Sequence, residues 1–105
     1  MYRGLTNLVE LDLSHNELNE VPTSSVVDCK YLMRLSLRGN PGIRHVRADA
    51  FSGLGDLTSI DLSECGIAAV EPGAFSFLEN LAYLRLESNK IETLSPEKTF
   101  PPNLR

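Results

Sequence analysis

At 105 residues, 42% hydrophobic and 23% charged, the chain has the make-up of one folded domain and not of a disordered segment. Its formal charge of −4 leaves too few clustered cations to neutralise a phosphate backbone, so no nucleic-acid partner is expected. No apolar run is long enough to insert into a membrane, Met1-Tyr2-Arg3-Gly4 does not open a secretory leader, and two cysteines are too few for a disulfide framework.

The chain opens on Tyr2 and Leu5, six and three places before Leu8. Residues 8–18 then set leucines at Leu8, Leu11, Leu13 and Leu18 with Asn16 between, the spacing L-x-x-L-x-L-x-x-N-x-L. The spacing returns at Leu32, Leu35, Leu37, Asn40, Ile43; at Leu57, Ile60, Leu62, Cys65, Ile67; and at Leu81, Leu84, Leu86, Asn89, Ile91. The anchors Leu8, Leu32, Leu57 and Leu81 are 24, 25 and 24 residues apart. Four units follow: 8–31, 32–56, 57–80 and 81–103, with 1–7 as the tail of a preceding unit and 104–105 as the start of another. Each unit continues with an apolar residue (Val21, Val46, Val70, Leu94), and the first three add a return pair, Val26 with Cys29, Phe51 with Leu54, and Phe75 with Leu78.

Packing explains the pattern. Alternation around Leu11 and Leu13 predicts a strand with those leucines inward and Glu10, Asp12 and Ser14 outward. One strand and one return segment cannot bury their own apolar edge, whereas stacked units can, which makes a solenoid. Pro22, Ser24, Ser25, Pro72 and Gly73 suit turns and short 3₁₀ pieces better than long helices. Asn16, Asn40 and Asn89 are placed to bond backbone groups of their own and neighbouring coils as a ladder, with Cys65 as a weaker rung. The second unit has one residue more than the first, and Pro41-Gly42 predicts a small bulge there that keeps the flanking core in register. Neither end carries a polar cap, so the chain reads as a fragment of a longer array, marginally stable or self-associating through its uncapped ends.

From Leu5 to Leu94 the chain resembles the 24-residue typical class of leucine-rich repeats. Ala50-Phe51-Ser52-Gly53-Leu54 and Gly73-Ala74-Phe75-Ser76-Phe77-Leu78 look like that class's return signature. The resemblance implies an α/β solenoid: a right-handed coil of about four repeats with a parallel concave β-sheet and an irregular or 3₁₀ convex side. It also implies an extracellular setting, cell-surface or secreted. A narrower resemblance, to the kekkon-type membrane proteins with leucine-rich repeats and an immunoglobulin domain, rests on Asp28-Cys29-Lys30-Tyr31-Leu32, Arg38-Gly39-Asn40-Pro41 and Leu62-Ser63-Glu64-Cys65. It implies adhesion or modulation of a receptor.

The outward positions form three columns: Glu10, Arg34, Ser59, Tyr83; Asp12, Ser36, Asp61, Arg85; and Ser14, Arg38, Ser63, Glu87. These are the candidate protein-binding residues. Neighbouring strands about 4.8 Å apart make Glu10–Arg34 and Asp61–Arg85 opposite-charge neighbours, whose bland role is exposed pairing worth roughly 0–1 kcal/mol each. Tyr83 and the arginines are of the types enriched at binding hot spots, and Arg34 with Arg38 could meet an acidic partner or a glycan. Asp12, Ser14 and His15 are close in sequence but lie on an open sheet, where no base is held between nucleophile and acid. No catalytic, metal or cofactor residue is expected, and Cys29 and Cys65 occupy core positions as free thiols. The sequence therefore points to a module that binds a protein ligand or receptor through its sheet. A structural spacer within a longer array and an intracellular scaffold are the alternatives.

Overall fold

The computed structural model describes residues 9–22 and 31–91. The anchor Leu8, the return positions Ser24, Ser25, Val26 and Cys29, Leu94 and both chain ends lie outside these residues, as do the expectations placed on them. Six strands follow in order: β1 (Glu10–Asp12), β2 (Arg34–Ser36), β3 (His45–Val46), β4 (Ser59–Asp61), β5 (Ala69–Val70) and β6 (Tyr83–Arg85). β1, β2, β4 and β6 form one parallel sheet in that order, and β3 with β5 forms a two-stranded parallel sheet on the return side. The fold is the α/β solenoid of the leucine-rich repeats, with no helix among the described residues.

The register repeats the sequence period: Leu11 pairs with Leu35, Leu35 with Ile60 and Ile60 with Leu84. Leu35 and Ile60 are buried, as are Leu37 and Leu62 two residues on, while Leu11, Leu13, Leu84 and Leu86 in the outer repeats are half-buried. The core runs from these residues through Ile43, Val46, Ile67 and Val70 to Phe51, Leu54, Phe75 and Leu78 on the return. Phe51 and Phe75 stack there with centroids 5.5 Å apart. The return is built of separate turns, Ala50 N–H to Arg47 C=O, Ser52 to Asp49 and Leu54 to Phe51. Their starts are two residues apart, so the bonds do not fuse into a continuous 3₁₀ helix.

At the end of each sheet strand the chain bends through one left-handed residue: His15 (φ 56°), Gly39 (φ 75°), Glu64 (φ 54°) and Ser88 (φ 58°). Only Gly39 takes this conformation without a steric cost. A β-carbon on it would also stand 2.8 Å from His15 Cε1, because the imidazole lies against the next repeat at that point.

The next residue bonds across the coils. Asn40, fully buried, donates from Nδ2 to Leu13 C=O (3.1 Å) and Leu37 C=O (2.7 Å) and accepts at Oδ1 from the N–H groups of Asn16 and Leu18 (3.2 Å each). Asn89 repeats this set with Leu62 C=O, Leu86 C=O, Cys65 N–H and Ile67 N–H. Among the described residues Asn16 Nδ2 reaches Leu13 C=O and Ser14 C=O, both of its own coil.

Cys65 covers part of the set. Its thiol donates to Leu37 C=O at 3.1 Å. Burial pushes its pKa up, while the N–H groups of Asn40 and Gly39 directed at the sulfur pull it down. Sulfur does not reach Ile43 N–H, which donates instead to Asn40 C=O (3.0 Å), closing a turn over Pro41-Gly42. The extra residue of the second repeat thus lets Asn40 C=O stand in for the acceptor that an asparagine at position 65 would have provided. Asn40 and Ile43 stay fully buried on either side of the turn.

Deleting Pro41 leaves Asn40-Gly42-Ile43 in the form of Asn16-Glu17-Leu18. Alone, the deletion is expected to orphan Ile43 N–H at a cost of about 1–3 kcal/mol. Combined with Cys65→Asn it recovers most of that loss. A double-mutant cycle by urea unfolding checks this, and purely additive costs would contradict it.

Candidate functional site

The sheet register brings the three outward columns together. Glu10, Arg34, Ser59 and Tyr83 are successive partners, and so are Asp12, Ser36, Asp61 and Arg85. Continuing each strand by two residues gives Ser14, Arg38, Ser63 and Glu87, of which Ser63 is buried. Across β1, β2 and β4 the face has a shallow depression of about 330 Å³ lined by Glu10, Asp12, Arg34, Ser36, Ser59 and Asp61.

Charges on this face are not equally available. Arg34 Nη2 donates to Glu10 Oε1 at 2.9 Å. Arg38 Nε donates to Glu64 Oε2 at 2.8 Å and its Nη2 meets the same oxygen, a hydrogen bond that raises the guanidinium pKa further. Glu64 lies outside the three columns: it is the left-handed residue of its own bend and stands one place beyond Ser63, the residue in line with Arg38. Asp61 and Arg85 are register partners, yet Asp61 Oδ1 accepts from Ser63 N–H (3.0 Å) and Ser63 Oγ (2.6 Å) instead of from the guanidinium. Both arginines with the sharpest binding expectation are thus tied to internal carboxylates, while Arg85 is in no ion pair among the described residues.

Asp12 behaves like Asp61. Its Oδ1 accepts from Ser14 N–H (2.9 Å) and Ser14 Oγ (2.5 Å), and these bonds, hydroxyl first, lower its pKa. The serine hydroxyl thus donates directly to the acid, with no imidazole between them, since His15 lies against Gly39. The arrangement recurs at Asp61-Leu62-Ser63, which marks it as a way of closing the strand. No group of three His, Cys, Asp or Glu among the described residues could hold a metal ion. Cys65 is free and buried.

Sequence columns also miss an apolar rim. Val9 and Met33, the first variable position of L-x-x-L, are 42% and 38% exposed, and Tyr31 is 58% exposed. The signal was present as two large apolar residues at the same place in successive repeats.

Comparison with known proteins agrees with this geometry. A family model described as leucine rich repeat matches residues 6–67 and 56–100. The leucine-rich repeat-containing G-protein coupled receptor 5 of Rattus norvegicus is 38% identical over 89 residues, which is 85% of this chain and 10% of that protein. Vasorin of Mus musculus is 31% identical over 105 residues, 100% of this chain and 16% of the relative. A chain in the solved structure of the Toll–Spätzle complex of Drosophila superposes with a TM-score of 0.78 at 32% identity, over 87% of this chain and 12% of that one. The chain spans no more than about a sixth of these proteins.

Proposed function

The chain belongs to the leucine-rich repeat family, and from that premise we propose that it is a protein-interaction module with no catalysis of its own. It presents the four-stranded face to a protein ligand or receptor, as part of a cell-surface or secreted ectodomain with an adhesion or receptor-modulating role. The observation that carries this reading is the contrast between the two sides of the sheet. Inward positions are leucine or isoleucine in all four strands, whereas the outward first column changes from Glu10 to Arg34, Ser59 and Tyr83. Such a face holds side chains free of any packing role, which is where a repeat scaffold carries specificity. Relatives named as receptors support the extracellular setting. With carboxylates outnumbering cations on the face, a protein suits it better than a nucleic acid.

The test replaces Arg34, Asp61, Tyr83 and Arg85 together by alanine and measures binding to a panel of recombinant extracellular domains. For any domain that the native chain captures, affinity is expected to fall at least about tenfold. Alanine at Arg44, His45 and Arg47 on the return side should leave it unchanged. Equal affinity for the sheet-face variant would sink the reading and favour the spacer alternative, which the Arg34–Glu10 and Arg38–Glu64 pairs between repeats also suit.

A further inference from the structure

Large apolar side chains exposed singly on a surface call for no explanation, but a contiguous group does. Of the exposed ones among the described residues, Phe77 lies on the return side, while Val9, Met33 and Tyr83 border or stand on the sheet face. A main-chain ladder fixes their order. Met33 N–H donates to Val9 C=O (2.8 Å), Thr58 N–H to Met33 C=O (2.7 Å) and Ala82 N–H to Thr58 C=O (2.9 Å). In the adjoining column Arg34, Ser59 and Tyr83 are successive partners.

Size along these two rows is uneven. Met33 and the Arg34 stem stand on one side, Tyr83 on the other, and only Thr58 and Ser59 lie between. Two strand spacings, about 9.6 Å, separate the walls. Contact distances of about 3.5–4 Å on each side of an inserted group leave room for one ring or one branched aliphatic chain. The Thr58 hydroxyl donates to Met33 C=O at 3.1 Å, so its polar end is already occupied. A thioether and a phenol ring are favourable walls for an aromatic guest.

Charge adds a second requirement. Arg34 is neutralised by Glu10 and Arg38 by Glu64, and Asp61 is turned to Ser63. Arg85 is the face arginine left outside an ion pair among the described residues, two residues along β6 from Tyr83 and on the same outward side.

We propose that the notch over Thr58 and Ser59 seats an aromatic or large aliphatic side chain of an extended protein segment, and that Arg85 takes a carboxylate of the same segment. Along an extended guest the acid stands two residues from the ring, matching the Tyr83-to-Arg85 spacing. This rests on the sheet-face reading above and names the chemistry of its partner.

The test selects random displayed dodecapeptides on the full chain. Enriched peptides should share an aromatic or large aliphatic residue with Asp or Glu two places away. Met33→Ser and Tyr83→Ser should each weaken a selected synthetic peptide by about tenfold, as should Arg85→Glu. A peptide with its acid changed to lysine should regain binding to the Arg85→Glu chain. All three positions are exposed, and each variant's urea midpoint is measured alongside to show that it is folded. A basic consensus lost on Asp12→Asn or Asp61→Asn and indifferent to Arg85 would overturn this inference and leave the sheet-face reading standing. A library that yields no binder overturns the seat. Binding that ignores every sheet-face substitution overturns both readings.

Discussion

Asn40→Ala is expected to lower the stability of the chain by about 3 kcal/mol, a large part of the 5–15 kcal/mol that holds a domain folded. The amide fills four backbone valences at once: two carbonyls, Leu13 and Leu37, and two N–H groups, Asn16 and Leu18. Alanine can fill none of them, and the side chain it replaces is fully buried, so water cannot take its place without opening the coil. Three of the four partners belong to the preceding repeat, so the loss weakens the junction between coils as well as one turn. The effect should be graded along the ladder. Asn89→Ala makes the same breaks at a half-exposed site and should cost less, and Asn16→Ala, at an exposed site where the side-chain amide bonds within its own coil among the described residues, should cost least. Urea unfolding followed by circular dichroism gives the order directly. Equal losses at the three positions, or less than about 1 kcal/mol at Asn40, would refute this account.

Phe75→Ala should be as damaging, at about 3–5 kcal/mol. The ring is fully buried and stacks on Phe51 of the previous repeat, 5.5 Å centroid to centroid with an interplanar angle of 24°. Removing it leaves a cavity on the return side, where short separate turns hold the chain and little regular structure can shift to fill it. Phe75→Leu keeps most of the volume and should cost less than about 1.5 kcal/mol. A cycle with Phe51→Ala should show coupling of about 0.5–1.5 kcal/mol from the stacked pair. Thermal and urea melts of the four chains measure these terms. A loss below about 1.5 kcal/mol for Phe75→Ala would mean that the return side contributes little to holding the repeats together.

Sheet positions were legible because the inward leucines carry a period that register must obey. A slip of one residue would turn Leu35 and Ile60 outward, and burial forbids it. Strands β3 and β5 were not legible, since two residues such as Ala69 and Val70 hold no alternation to detect. The left-handed bend was hidden for a related reason: three of its four residues, His15, Glu64 and Ser88, are not glycine. Of the candidate site, its columns could be read from spacing, but the distribution of charge within them could not. Whether Asp61 turns to Arg85 or to Ser63 depends on local geometry two residues along the strand, where a main-chain N–H and a hydroxyl both outbid a flexible guanidinium.

The turn over Pro41 and Gly42 also sets an order on how such a chain can change. A lengthened loop made first is tolerated, because Ile43 N–H then has both Asn40 C=O and a facing asparagine to choose between. A thiol introduced first strands that N–H until the loop grows. The extra residue is therefore the permissive step and Cys65 the dependent one, so the path between a uniform array and this chain runs in one direction at a time. An engineer who wants identical 24-residue repeats from this sequence must begin at Cys65 and trim the loop afterwards.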